Sequence, residues 1–419
     1  MIQREKCSLH IYIAVYLLLL FKAGFYFIEQ SNIITAPFFL AYLIFIAVKY
    51  RNALVRIDMN DISVALAMLF LITMTNLVCG LPEINEFVNM LLNMLTALLF
   101  VFIIPKEQFI KAYCDIIFLI GVASLIAWVL MTFVPVIFNY IPALVNTSNR
   151  VGHFCGLTIV SDFRGASMQR TQGLFWEPGA YQCLVVIAML LEKYHYNPPN
   201  KMIRIIINSA AILLSFSTTG YIALILVWMV LLSKDAKHFH LIRTGLIALL
   251  VGYVYLTFGS RLSGQLWYTL TFKIEGMLNY KTATNYSITA RAGSIIEPLR
   301  LFVSNPILGI GENGYNEVAS TVGLATCTPI NYICKYGIIF AGINFYGFYK
   351  FIKKKGMRFF ETAFIILTLV VSFFSETFFM NPVLMIFMFY GYKKSSEAAD
   401  NLITEGDTAY GYKRQSLRI

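Results

Sequence analysis

Apolar runs of about membrane-spanning length recur along this chain, and no other feature restricts its fold so tightly. A helix crossing a bilayer core needs about 20 predominantly apolar residues, sometimes as few as 17. Such runs lie near 11–28, 33–48, 62–79, 87–104, 112–134, 179–191, 203–216, 220–232, 241–258, 326–349, 359–376 and 380–392. The stretch 203–232 reads either as two short helices meeting at Ser217-Thr218-Thr219-Gly220 or as one long helix. The shorter runs also suit re-entrant elements, which are tolerated where protein or water lines them. Only 13% of the 419 residues are charged and 58% are hydrophobic. A soluble domain carries about 25% charged residues. That gap excludes an ordinary cytosolic enzyme, a disordered chain and a basic nucleic-acid binder. The apolar N-terminal stretch lacks a small-residue cleavage site and reads as a first span, not as a removed signal.

The basic residues orient this map. With both termini cytoplasmic, the inner segments hold 23 Lys and Arg and the outer segments hold 8, while Lys22 and Lys335 fall within spans. The inner segments are also shorter, so the bias follows the positive-inside rule with an even number of spans. The expectation is an all-α polytopic membrane protein with about 12 transmembrane helices. Residues 1–392 form a single membrane domain and 393–419 a polar cytoplasmic tail. Two outer segments are long, about 135–178 and about 259–325. Connections beyond about 15 residues are usually functional or disordered. These two mix Arg, Tyr, Trp, Asn and Gly, the composition of a folded polar surface.

The first outer segment ends in Arg170-Thr171-Gln172-Gly173-Leu174-Phe175-Trp176-Glu177-Pro178-Gly179-Ala180-Tyr181. Pro178 suits the first turn of the next helix. Glu177 then stands at that helix's positive end, which favours a carboxylate. The same residues equally suit a helix cap with Trp176 as an interfacial anchor. The second outer segment carries Arg291, Glu297 and Arg300, then Asn305-Pro306-Ile307-Leu308-Gly309-Ile310-Gly311-Glu312-Asn313. Asn-Pro followed by Gly-x-Gly marks a tight turn with close backbone approach. A lone Gly-x-Gly is weak evidence for phosphate, and no Walker lysine follows it.

Missing motifs narrow the chemistry. There is no Asp-x-Asp, no His-Glu-x-x-His and no Gly-x-Ser-x-Gly, and only His153 of the five His falls in an outer segment. No Cys/His cluster or CxxC appears among the seven Cys, so no metal site, cofactor or disulfide framework is expected. Intramembrane ionisable residues are few: Lys22, Asp115, Lys335 and Glu376. An ion-coupled transporter would show more paired charge and broken helices in two matching halves. Outward arginines with a few carboxylates suit an anionic, membrane-borne substrate, because the guanidinium binds phosphate through a planar fork.

At these residues the chain resembles the O-antigen polymerase and ligase superfamily, integral membrane enzymes that extend or transfer lipid-linked bacterial glycans. Arg170 to Pro178 matches the pattern Arg-x-x-Gly-x-Phe-x-Glu-Pro. Ser217 to Gly220 resembles the Ser-rich Gly turn between mid-chain helices, without the Arg that relatives carry there. Arg291 with Asn305 to Gly311 resembles the third motif. The stretch Thr326-Cys327-Thr328-Pro329-Ile330-Asn331 lacks the His of the His-Asn pair found in ligases and many polymerases, which weakens the ligase reading and leaves the identity of the base open.

The resemblance implies a nucleotide-independent glycosyltransferase of the bacterial inner membrane. It would join polyprenyl-pyrophosphate-linked oligosaccharide repeats on the periplasmic side, alongside a flippase and a chain-length regulator. The catalytic candidates are Arg170 and Arg291 for pyrophosphate and Glu177 as base or orienting carboxylate. Arg261, Arg300, Tyr181 and Asn313 are the substrate-binding candidates. Asp162, Arg164, Glu297 and Glu376 stand in reserve. The alternatives are a ligase and a transporter or flippase of the same lipid-linked glycan.

Overall fold

The computed structural model describes residues 9–22, 32–50, 57–145, 151–162, 169–232, 286–322, 327–354, 356–374 and 376–393. The described residues are mostly helical, at 77%. Before the first long connection run α1 (Leu9–Lys22), α2 (Asn32–Tyr50), α3 (Met59–Cys79), α4 (Ile84–Ile103) and α5 (Lys106–Phe133). A 3-10 helix (Pro135–Tyr140) and four strands follow: β1 (Ala143–Val145), β2 (Val151–Phe154), β3 (Ile159–Asp162) and β4 (Gln169–Thr171). Then come α6 (Pro178–Tyr194), α7 (Lys201–Leu213), α8 (Thr218–Leu232), α9 (Tyr286–Phe302) and α10 (Gly311–Val322). The chain closes with α11 (Thr328–Ile352), α12 (Phe359–Phe373) and α13 (Pro382–Tyr392).

Among the described residues three helices, α3, α4 and α5, are long and apolar enough to cross a membrane. Shorter apolar helices of 10–17 residues stand beside them, α1, α12 and α13 among them. The apolar run 241–258 lies outside the described residues. The 203–232 stretch forms two helices, with the Ser217 hydroxyl accepting from Gly220 N at 3.2 Å where α8 begins.

Helices α6 and α13 are buried on nearly every side, from Pro178 to Glu192 and from Pro382 to Gly391. A helix apolar all round belongs in the interior of a bundle. Around α6 stand α5, α7, α8, α11 and α12. Against α13 lies α11, so closely that a Cβ at Gly391 would strike the backbone of Gly347. Small residues permit this approach, as they do between helices in bilayers. A buried ionic clamp joins four elements of the bundle. Arg204 donates to Glu192 at 2.6 Å and to Asp115 at 2.9 Å, and Tyr12 donates to Asp115 at 2.7 Å.

The all-α expectation needs one correction. The first long connection folds into an antiparallel sheet in the order β1-β2-β3-β4. Gly156, at φ 76, turns β2 into β3, and Cys155 N donates to Thr158 O at 2.8 Å to close the turn. The Thr158 hydroxyl meets that of Ser124 at 2.8 Å, which fastens the hairpin to α5. Strands of three or four residues carry too little alternation to be read against a background of helical runs.

His195 follows α6 and predicts a pH dependence. Its ring Nε2 donates to Ile352 O at 2.9 Å and stacks on Phe351, tying the end of α6 to the end of α11. Burial pushes its pKa down from 6.5 to about 4. Between those values the unfolded chain binds a proton that the folded chain refuses. Stability is therefore full above about 6.5 and falls as the pH drops toward 4. The melting temperature in detergent should fall from pH 7 to pH 5, and less steeply in His195→Gln. An equal slope in that variant would assign the effect to other groups.

Candidate functional site

The stretch from Arg170 to Glu177 braces itself. Arg170, half-buried on β4, is opposite Ser161 on β3. Gln172 is buried and accepts from the Ser161 hydroxyl at 3.1 Å while its amide donates to Phe175 O at 3.1 Å. Ile159 N donates to Gly173 O at 2.7 Å. Gly173 has φ 59, and a Cβ there would lie 2.7 Å from the Tyr181 ring. Position 173 therefore requires glycine on two counts, backbone conformation and space. Thr171 N donates to Leu214 O at 3.1 Å, and Gly220 abuts Gln182 of α6. The Ser217–Gly220 turn thus meets the Arg170–Pro178 motif along α6.

Glu177 occupies the N-cap position of α6, with Pro178 at the first helical residue, as the sequence suggested. Its side chain makes no capping hydrogen bond. It is half-buried on the turn that joins β4 to α6. Trp176 packs on Phe378 at 5.1 Å between ring centroids, so its anchor is the protein's own connection between α12 and α13. Glu376, on that same connection, is 4% exposed, and its carboxylate fills the space where a side chain at Gly179 would stand.

The third motif does different work from a phosphate cradle. Helix α11 is broken at Tyr336 and Gly337. The turn Pro306–Ile310 docks into the break: Ile310 N donates to Cys334 O at 2.8 Å and Ile338 N donates to Pro306 O at 3.0 Å. Gly309 and Gly311, at φ 80 and φ 72, face backbone of α11 and Cys79 of α3. The close approach read from Gly-x-Gly is made to the protein itself.

Several sequence candidates change role. Tyr181 is fully buried, stacked on Phe175, with its hydroxyl donating to Ser124 at 3.4 Å, so it belongs to the core under the site and not to a substrate surface. Asn313 is exposed and donates to Leu81 O at 2.7 Å, which ties α10 to the α3–α4 connection. Arg300 is exposed in the last turn of α9. Arg291 lies in the same helix, but its side chain is outside the described residues, as are Arg261 and Arg164 altogether and the side chain of Asp162. Glu297 is half-buried on α9.

One buried cluster was not legible as such. Lys335 on α11 pairs with Glu312 on α10 and stands 4.7 Å from the ring centroids of Tyr315 and Phe379. Tyr315 donates to Asn331, and burial holds its phenol protonated by raising its pKa. The only signal in the sequence was Lys335 itself, a charge inside an apolar run. Its partner lies on a separate helix. Among the described residues no group of three or more His, Cys, Asp or Glu is arranged to hold a metal ion. The chain matches no family model, no curated protein and no solved structure.

Proposed function

We propose that this chain is an inner-membrane polysaccharide polymerase of the O-antigen type. Its membrane character rests on α3, α4 and α5 and the shorter apolar helices around them. The finer reading has about 12 spans, both termini cytoplasmic, and the segments 135–178 and 259–325 periplasmic. The donor and acceptor are polyprenyl-pyrophosphate-linked oligosaccharides. The acceptor hydroxyl attacks the donor's anomeric carbon, the new glycosidic bond forms, and the bond to the pyrophosphate oxygen breaks. Glu177 takes the hydroxyl proton, and Arg170 and Arg291 stabilise the departing polyprenyl pyrophosphate. Pyrophosphate leaves readily, so the reaction needs cationic stabilisation and a base, with no carboxylic acid of raised pKa.

The observation that carries this reading is the braced turn that presents Arg170 and Glu177 beside one buried helix, with the Glu177 side chain not used as a cap. A transporter of the same lipid-linked glycan is the second reading. The break in α11 next to Lys335 favours it, because discontinuous helices with nearby charge line transport sites. Cells lacking the gene distinguish the two readings. Loss of a polymerase leaves single repeats exposed to the periplasm, and loss of a transporter strands them on the cytoplasmic face.

The topology has its own test. Reporter fusions at Asn279 and Lys354 should read periplasmic and cytoplasmic, as the 23-to-8 split of basic residues requires. Cytoplasmic activity at Asn279 would overturn the map and the site with it.

A further inference from the structure

A second carboxylate, Glu376, reaches the helix end that carries Glu177. It is buried at 4% exposure, lies far along the chain from Glu177, and packs its carboxylate against the first turn of α6 at Gly179. The connection that carries it, between α12 and α13, is fixed from several sides. Glu376 O accepts from Thr328 N at 3.0 Å and from the Thr328 hydroxyl, which in turn accepts from Phe378 N at 2.8 Å. Met380 N donates to the Tyr332 hydroxyl at 3.2 Å. Asn381 donates to Lys22 O at 2.8 Å, and its carbonyl accepts from Val383 N at 2.9 Å. Phe378 packs at a tilt on Trp176 and edge-to-face on Phe373, and Phe379 lies under Lys335. A backbone held this firmly delivers its side chain to one place. That place is Gly179, where any Cβ would fall inside the Glu376 carboxylate.

The first turn of a helix attracts one carboxylate strongly, through its dipole and its unsatisfied N–H groups. Two carboxylates on one turn repel each other. Glu376 has the better claim, because it is buried against the turn, while Glu177 is half-buried and makes no capping bond. We propose that Glu376 is a positioning residue: its carboxylate occupies the first turn of α6 and thereby keeps Glu177 off the helix end, turned toward the substrate side beside Arg170. This rests on the polymerase reading for its activity assay, but the positioning itself can be measured without catalysis.

The test uses the full-length protein in detergent with lipid-linked repeats, and compares Glu376→Gln, Gly179→Ala, Glu177→Gln and the double variant Glu177→Gln/Glu376→Gln. Glu376→Gln keeps the shape and removes the charge. Gly179→Ala keeps every charge and forces the carboxylate away. Both should lower kcat on the order of 10-fold with KM changed by less than about 2-fold, the coupling expected of neighbouring groups. The double variant should be no worse than Glu177→Gln alone. A parallel readout follows Trp176 emission in a protein whose other tryptophans are Phe. Glu376→Gln should shift that emission and its acrylamide quenching.

The outcomes separate cleanly. If the parent protein polymerises and folded Glu376→Gln and Gly179→Ala both keep its kcat, the positioning role is wrong. Additive losses in the double variant also contradict it. If Glu376→Gln does not fold, Gly179→Ala alone decides. If no variant nor the parent polymerises, the emission shift still supports the positioning, an unchanged emission overturns it, and the polymerase reading fails separately.

Discussion

Replacing Arg170 by Lys should reduce glycan polymerisation by roughly 10²–10³, the usual cost of losing one preorganised stabiliser of developing charge. Lys keeps the positive charge, so simple electrostatic attraction survives. What disappears is the planar fork with which a guanidinium can grip two phosphate oxygens together. Arg291→Lys should behave alike. Glu177→Gln should cost about 10²–10⁴ if the carboxylate is the base. A cap charge alone would cost under about 1 kcal/mol and leave the product nearly normal. The structure sharpens this contrast, because the Glu177 side chain makes no capping bond whose loss would lower stability. Glycan chain length on gels, from a strain lacking the gene and carrying each variant at equal membrane level, reads the result. Normal ladders from all three variants would mean that an interfacial turn has been taken for an active site.

Gly337→Ala should have the largest effect on folding. Gly337 has φ 82 and ψ 173, a region that side chains disfavour, and its missing Cβ would fall inside the carbonyl of Ile307. Backbone meets backbone there, so no rotamer change relieves the clash. Backbone strain costs about 1–3 kcal/mol and overpacking about 1–3 more. Against a total of about 5–15 kcal/mol, such a loss lowers the melting temperature sharply. Gly356→Ala is the control, since Gly356 has φ 87 but open space around it. Only strain acts there, so its melting temperature should fall far less. Equal melting curves for the two would show that the docked turn does not hold the broken helix.

Helical runs were plain in the sequence because each apolar stretch carries its own signal. The turn from Arg170 to Pro178 was plain for the same reason: its glycine and its proline are local signals. The meeting of α7 and α8 at Ser217–Gly220 was visible as a polar interruption. The features that escaped depend on distant partners. Nothing near Gly337 announces that α11 breaks, because a single glycine inside an apolar helix is often tolerated. The break exists because Pro306–Ile310 supplies the hydrogen bonds that the helix gives up. Gly-x-Gly correctly indicated close backbone approach, but not to what. Tyr181 and Asn313 read as substrate contacts from their neighbours in sequence, yet Tyr181 is buried in the core and Asn313 bonds to the α3–α4 connection. Glu376 and Gly179 meet only when α12 and α13 pack beside α6.

Those long-range contacts also link the second long segment to the turn from Arg170 to Glu177. Helix α10 is joined to α11 by the Glu312–Lys335 pair, Lys335 stands over Phe379, and the connection carrying Phe379 brings Glu376 to α6. Each step is a contact between packed groups.

The most direct measurement is reconstitution. Purified protein in vesicles, given polyprenyl-pyrophosphate-linked repeats in the presence of EDTA and without nucleotide, should convert single repeats into a ladder of longer chains. One polyprenyl pyrophosphate should be released for each bond formed. Repeats that cross the bilayer without growing, or that never leave their carrier, would contradict the polymerase account.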